Sequence, residues 1–273
     1  MENLNFITAG MPLKTEPKEY AKAFEVLSDM GLDGLELEFV RGVRMSDKSK
    51  SVVSANSKDF VVTAHGPYYI NLNSQEEEKV EASITRIVDT AIMGQNVGAY
   101  SITYHAAFYM GEDKDVVYKK VVERTQKILS QLEKAGIDIW VRPETTGKST
   151  QWGDIDEIVK LSKEFKQVLP CVDFAHIHAR SGGEFNTYDD FCNILEKVAS
   201  IGDYAISNFH GHIAGIAYSE KGEKNHLPLI ESDMNYKDLL KALKKFNVKG
   251  ALVCESPNIE DDCKLLKDYY LSL

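Results

Sequence analysis

The residues of this chain that are best suited to metal chemistry come directly after apolar, strand-like stretches. The clearest case is the segment 171–178, where an apolar run beginning at Val168 leads into Asp173, His176 and His178. Imidazole and carboxylate groups suit zinc and tolerate manganese or iron. A buried parallel strand has no ordinary structural use for three such groups at its end. The spacing therefore predicts a metal site where this strand ends.

All of the histidines share this kind of position. None falls in a stretch predicted as an outer helix; six lie at or just past the end of a predicted strand, and one lies in a long loop. The seven are His65, His105, His176, His178, His210, His212 and His226. Random placement would put several of them on helical surfaces. Their distribution therefore predicts one shared site.

Three carboxylates have the same position, because Glu144, Asp173 and Glu255 each follow an apolar strand directly. One such carboxylate by itself is explained as a cap of the following helix. Three anions brought together repel one another unless a cation lies between them. With the histidines they supply more ligands than one ion needs. The sequence therefore predicts two or three ions, as Zn²⁺ or alternatively Mn²⁺ or Fe²⁺.

Eight strand-like segments alternate with about eight amphipathic helical segments, and no flexible linker divides them. The predicted strands are 6–10, 35–39, 60–65, 100–105, 137–141, 168–178, 204–210 and 250–255. Alternation of this kind indicates an α/β fold, and the count of eight favours a barrel over a doubly wound sheet. We therefore predict a single (β/α)8 TIM-barrel domain over residues 1–273. Its site is expected at the C-terminal ends of the strands, with irregular loops at 180–186 and 213–233.

Composition limits the compartment and the partners. The 273 residues carry a formal net charge of −10, which argues against binding to nucleic acid by bulk electrostatics alone. The sequence has neither a long apolar run nor a signal-peptide pattern, so we expect no membrane partner. The four cysteines form no CxxC pair, which favours free thiols and a cytoplasmic location. No feature indicates an obligate protein partner.

The motifs, taken together and in order, resemble those of one known family. They are His65-Gly66-Pro67-Tyr68-Tyr69-Ile70-Asn71-Leu72, the strand-end His105, Pro143-Glu144-Thr145-Thr146-Gly147, Asp173-Phe174-Ala175-His176, the region of His212 and His226, and Cys254-Glu255-Ser256-Pro257. In these motifs the chain resembles the endonuclease IV family of apurinic/apyrimidinic (AP) endonucleases, within the xylose-isomerase-like barrel superfamily. The resemblance implies a barrel with three zinc ions that cleaves double-stranded DNA 5′ to an abasic site.

The resemblance also implies roles for single residues. His65 and His105 would bind a first zinc ion, and the catalytic residue Glu144 would bridge it to a second ion while holding the attacking water. The second ion would be completed by Asp173, His212 and Glu255, and a third would be held by His176 and His226. Members of the family insert side chains into the duplex and flip the abasic sugar out. Tyr68, with Arg41 or Arg44, is the candidate for these DNA contacts.

Two departures from the family pattern concern the metal ligands. The third zinc ion of the family takes an aspartate two residues before the second histidine, and here Lys224 occupies that position. Glu223 is the candidate replacement if the loop is shifted by one residue. His210 and His212 compete for one ligand position, and the residues that follow His212 continue the family pattern better.

Two other functions fit the same residues. A sugar isomerase or epimerase of the superfamily uses one divalent ion held by two glutamates, an aspartate and a histidine. The corresponding residues are Glu144, Asp173, His212 and Glu255. Two of the carboxylates would then exchange protons with the sugar, although the additional histidines would have no role as ligands. A barrel that binds metal without catalysis is the third interpretation, and Lys224 in place of aspartate supports it.

Overall fold

Twelve strands appear in the computed structural model, which describes all 273 residues. They are β1 (Leu4–Ala9), β2 (Gly34–Glu38), β3 (Val61–His65), β4 (Ser101–Tyr104), β5 (Ala107–Phe108), β6 (Trp140–Pro143), β7 (Gln151–Trp152), β8 (Val172–Asp173), β9 (Phe209–Ile213), β10 (Gly215–Ser219), β11 (Gly222–Leu227) and β12 (Gly250–Cys254). Eight of them form one parallel sheet in the order β6-β4-β3-β2-β1-β12-β9-β8.

Backbone pairing between β6 and the segment that leads into β8 closes this sheet into a barrel. Parallel bridges join Val141 to Val168 and Glu144 to Cys171. In addition, the N–H of Thr145 donates to the carbonyl of Cys171 at 3.0 Å. The eight-stranded TIM barrel predicted from the sequence is therefore confirmed. Its strands all end at the same mouth, where barrels of this kind assemble their sites.

Helices surround the barrel. They are α1 (Tyr20–Met30), α2 (Asp47–Asn56), α3 (Glu77–Asn96), α4 (Lys114–Lys134), α5 (Ile155–Glu164), α6 (Phe174–Arg180), α7 (Tyr188–Ala199), α8 (Asp203–Ser207), α9 (Tyr236–Lys245) and α10 (Glu260–Ser272), with a 3₁₀ turn at Leu229–Glu231. Between them and the strands lies a core of 61 buried apolar residues. None of these helices combines the length and apolar character that crossing a membrane requires.

The predicted strand at 204–210 is wrong. Asp203–Ser207 forms the short helix α8, and the strand β9 begins only at Phe209. A short apolar run such as Tyr204-Ala205-Ile206 does not distinguish a strand from a helix. The consequence is functional: His210 and His212 both lie within β9, two residues apart, so their side chains point to the same side of the sheet.

The segment 171–178 also differs from the prediction, because only Val172–Asp173 is a strand there. Helix α6 begins at Phe174, and Asp173 caps it by accepting the backbone N–H of His176 at 2.7 Å. His176 and His178 are therefore helical residues. Similarly, the loop predicted at 213–233 contains an antiparallel hairpin formed by β10 and β11, and His226 lies in its second strand.

Candidate metal centre

The side chains of three strand-end residues, His65, His105 and Glu144, converge at the mouth of the barrel. The buried Glu144 carboxylate lies between imidazoles: its Oε2 is 3.1 Å from His65 Nε2, and its Oε1 is 3.1 Å from His105 Nε2 and 3.2 Å from His176 Nδ1. His65 Nδ1 lies 2.7 Å from the carbonyl of Gly66. This contact assigns a proton to Nδ1, so that Nε2 is the ring nitrogen directed at the cluster and available to a metal ion. The group has the donors of a three-ligand cation site.

Glu144 also belongs to a second group, with Asp173 and His212. His212 Nδ1 lies 3.3 Å from Glu255 Oε1 and 3.7 Å from Glu144 Oε1. Between the two histidines of β9, it is therefore His212 that faces these carboxylates. Glu144 is common to both groups, which is the position a bridging ligand requires. Ligation by these residues remains a prediction.

A third group contains Asp173, His176 and His226. His176 Nδ1 lies 2.9 Å from the carbonyl of Thr145, and its Nε2 lies 3.6 Å from Glu223 Oε2. The hairpin brings Glu223 and His226 to the same place as helix α6. All eight residues predicted as metal ligands thus lie in overlapping groups at one mouth.

Unpaired polar atoms within these groups fit a bound cation. Asp173 Oδ2 and His212 Nδ1 are fully buried and have no hydrogen-bond partner. A buried acceptor without a partner costs about 1–3 kcal/mol. A divalent ion would be coordinated by both atoms and would offset the mutual repulsion of the carboxylates. Because the donors are nitrogen and oxygen, the set suits zinc, manganese or iron.

The ionisation of the histidines in the centre also reflects the negative charge of the carboxylates around them. Burial opposes protonation of His65, but the hydrogen bond and charge of Glu144 outweigh it and raise its pKa to about 10. Burial likewise opposes protonation of His176, yet Asp173 and Glu144 hold its pKa well above the usual value. Burial raises the pKa of Asp173 to about 6. Imidazolium groups thus supply positive charge among the carboxylates.

Two carboxylates of β2, Glu36 and Glu38, extend the centre beyond the residues predicted from the sequence. Glu36 is fully buried, and it forms a possible cation-binding group with His212 and Glu255. Burial raises the pKa of Glu38 to about 8. The sequence contained a signal for these two residues. Glutamates alternate with apolar residues at 35–39 (Leu-Glu-Leu-Glu-Phe), although a strand of a parallel barrel is buried on both faces.

His178 does not reach these groups, so the prediction that all seven histidines share one site is wrong. His178 points away from the barrel, since its Nε2 lies 3.0 Å from Asp233 Oδ1 and its Nδ1 lies 3.1 Å from the carbonyl of Phe185. His178 lies two residues after His176 in helix α6, and side chains two residues apart point to different faces of a helix. His210 lies deeper inside the barrel, with Nδ1 2.9 Å from Ser101 Oγ.

The residues predicted to contact DNA lie on the surface. Tyr68 is 63% exposed, and its ring centroid is 6.2 Å from that of His65. It is therefore placed at the rim of the centre. Arg41 and Arg44 are exposed in the segment that follows β2. Whether these three residues contact DNA remains a prediction.

The barrel and its mouth of histidines and carboxylates define a class of protein. The chain belongs to the xylose isomerase-like TIM barrel family, whose model matches residues 24–269. Over 271 residues it is 46% identical to an uncharacterised protein of Methanocaldococcus jannaschii, with 99% of this chain and 98% of that relative covered. It is 24% identical over 191 residues to a probable endonuclease 4 of Aquifex aeolicus, with 65% of this chain and 66% of that relative covered.

Solved structures of two kinds share the fold. A D-tagatose 3-epimerase-like protein matches with a TM-score of 0.75 and 17% identity, covering 98% of this chain and 97% of the other. Endonuclease IV from Thermus thermophilus matches with a TM-score of 0.72 and 16% identity, covering 98% of this chain and 99% of the other. At these identities the likeness establishes the fold alone. The choice between the two chemistries depends on the side chains of the centre.

Proposed function

We propose that this protein is a metal-dependent phosphodiesterase of the endonuclease IV type, which hydrolyses the DNA backbone 5′ to abasic sites. It would use two or three ions, as Zn²⁺ or alternatively Mn²⁺ or Fe²⁺. The observation that carries the proposal is the position of Glu144. Its two oxygens each lie 3.1 Å from a different imidazole nitrogen, and the same carboxylate joins the group of Asp173 and His212. This arrangement supports a multinuclear centre.

Bound divalent ions would supply positive charge that stabilises a phosphoryl-transfer transition state and lowers the pKa of an attacking water. His65 and His105 would hold one ion, and Asp173, His212 and Glu255 would hold another. Glu144 is available as an anion, because the charges of His105 and His212 outweigh its burial and hold its pKa well below the usual value. Its carboxylate would orient the attacking water between the two groups.

Recognition of the abasic site would use the rim. Tyr68 has an exposed ring beside His65, and it would enter a duplex whose phosphate lies at the centre. An aromatic ring can stack on bases of any sequence. Arg41 and Arg44 would contact backbone phosphates, which offsets the unfavourable net charge locally.

Incision of a labelled duplex that carries one abasic-site analogue tests the proposal. The protein would be depleted with a chelator, and zinc or manganese would then be added back. We expect a nick 5′ to the lesion that depends on the added metal, and no nick in a matched duplex without the lesion. Tyr68→Ala should weaken binding of the lesion duplex while metal content is unchanged, with the equally exposed Tyr69→Ala as the control.

Epimerisation of a small sugar is the second candidate, and one observation favours it. His212 lies between Glu144 and Glu255, at 3.7 and 3.3 Å from their oxygens. Two carboxylates around one ion are the arrangement that proton exchange on the two faces of a sugar carbon would use. Conversion of ketoses by the manganese-loaded protein, without nicking of abasic DNA, would establish this candidate and exclude the first.

A further inference from the structure

Below the metal centre, inside the barrel, lies a buried polar group. Of the candidate metal ligands it contains only the two histidines of β9, His210 and His212. It consists of Glu36, Thr63, Ser101, His210 and His212, all of which are fully buried. A carboxylate in such a place requires donors or a cation, because an isolated buried charge is strongly unfavourable. The contacts of Glu36 show how this requirement is met.

The two ring nitrogens of His212 face different partners. Nδ1 points toward the metal centre, 3.3 Å from Glu255 Oε1. Nε2 lies 3.0 Å from Glu36 Oε1, on the side away from the centre. Neither Nε2 nor Oε1 has another hydrogen-bond partner, and the pair is not yet aligned for a good hydrogen bond. Hydrogen bonds at active sites commonly shorten and align only when the ligand is bound.

The second oxygen of Glu36 is held in place by its neighbours. Thr63 Oγ1 donates to Glu36 Oε2 at 2.6 Å. His210 Nε2 lies 3.1 Å from the same oxygen, and its Nδ1 lies 2.9 Å from Ser101 Oγ. Glu36 therefore has one oxygen fixed from below, and its other oxygen faces His212.

We propose that Glu36 is a positioning residue for the metal ligand His212, an inference that depends on the proposed metal centre. The N–H at His212 Nε2 donates to Glu36 Oε1, so that the lone pair of Nδ1 is directed at the ion. A carboxylate behind a ligating imidazole fixes the tautomer and the ring orientation and raises the basicity of the ligand. The hydrogen bond from Thr63 holds Glu36 in this orientation, and His210 Nε2 lies against the same carboxylate oxygen.

A metal ion held below the centre by Cys171, His210 and His212 is the competing arrangement. Ligand atoms of Cys171, His210 and His212 also lie within 4.8 Å of one another. The hydrogen bonds favour the positioning role, because Glu36 Oε2 is already occupied by Thr63 and His210 Nδ1 by Ser101. The two arrangements differ in whether a thiolate contacts the metal, and that difference can be measured.

Zinc affinity measured by competition with a chromophoric chelator tests the proposal with the full chain. We expect Glu36→Gln to weaken one zinc ion per chain by about 10- to 100-fold, the usual effect of losing such a partner, while the other ions keep their affinity. The visible spectrum of the cobalt-loaded protein should change in parallel. Glu36→Asp keeps a carboxylate and should restore part of the affinity. Thr63→Val should weaken the same ion by about threefold to tenfold, which provides a second variant if Glu36→Gln does not fold.

A matched control is Glu260→Gln, because Glu260 is another buried glutamate but accepts the backbone N–H groups of Leu13 and Lys14 instead of facing an imidazole. Its zinc affinity and cobalt spectrum should equal those of the wild type. Equal affinities and spectra for Glu36→Gln and the wild type would overturn the positioning role. So would a thiolate-to-cobalt absorption band that disappears in Cys171→Ser. A wild-type protein that binds neither metal would instead overturn the proposed function itself.

Discussion

Glu223 Oε2 lies 3.6 Å from His176 Nε2, although Glu223 belongs to the hairpin strand β11 and His176 to helix α6. A β-bulge makes this contact possible. In the hairpin, Ala217 pairs with Asn225 and Tyr218 pairs with Glu223, so that Lys224 is the extra residue. In a regular strand, Lys224 would lie on the same side as His226, because side chains two residues apart share a side. The extra residue at the bulge puts Glu223 on that side instead. The hairpin thus contains a one-residue register shift next to Glu223, as the prediction that Glu223 replaces the aspartate of the resembled family requires.

Glu223→Ala should release one metal ion per chain, because it removes the carboxylate that faces His176, the predicted ligand of that ion. Elemental analysis of the protein after dialysis measures this directly. The neighbouring Lys224→Ala is the matched control and should keep the full metal content, since Lys224 is exposed. An unchanged metal content in Glu223→Ala would show that Glu223 is not a ligand.

Glu144→Gln should slow turnover strongly and leave the fold intact. The amide cannot bridge two cations as a carboxylate does, and a loss of about 3–4 kcal/mol of transition-state stabilisation lowers the rate by about 10²- to 10³-fold. The measurement is single-turnover incision of the abasic duplex, with circular dichroism to verify folding. Incision at the wild-type rate would rule out the bridging role.

Stability of the metal-free protein should decrease as the pH rises from about 7 to about 9. The pKa of His65 is raised to about 10 in the fold by Glu144, which outweighs burial, whereas it is about 6.5 in an unfolded chain. Between these values the folded protein holds a proton that the unfolded chain has lost, so this stabilisation is complete below about pH 6.5 and is lost through about pH 10.

Thermal melting at several pH values, with and without zinc, measures this dependence. Metal-free protein should lose several degrees over the interval, and zinc-loaded protein should lose much less, because the ion then replaces the imidazolium charge. Metal-free His65→Gln should show a smaller decrease than the metal-free wild type. A melting temperature of the metal-free wild type that rises over this interval would contradict the assignment.

Asp233→Ala should loosen the hairpin that carries Glu223 and His226. Asp233 accepts a hydrogen bond from Tyr218 of β10 at 2.6 Å and faces His178 of α6 at 3.0 Å, so it connects the hairpin to the helix. Its loss leaves the buried Nε2 of His178 without a partner, which costs about 1–3 kcal/mol. Denaturant unfolding measures the cost, and amide exchange should increase in β10 and β11.

Tyr218→Phe is the milder variant and should lose only one hydrogen bond, about 1 kcal/mol. Neither variant should alter the affinity of the ion predicted at His65 and His105, because the hydrogen bonds of Asp233 join it to Tyr218 and His178. Equal loss of all bound ions would indicate general unfolding rather than a local role for this connection.

The sequence by itself determined the barrel and most of the centre. Apolar strands repeated at regular intervals must be buried on both faces, and chain order places their ends at one mouth. For this reason His65, His105, Glu144 and Glu255 were identifiable from the residue that ends each strand. The positions of Glu36 and Glu38 in an apolar strand likewise marked them as unusual. The role of Glu36, however, depends on the histidines of β9 that face it.

Only the tertiary structure decided which histidines face the centre. His178 turns away because α6 begins immediately after Asp173, and His210 lies below His212 because β9 starts at Phe209. The position of Glu223 depends on the bulge at Lys224. In each case a shift of one or two residues changes the direction of a side chain. Such shifts follow from packing between distant segments, which local sequence patterns do not record.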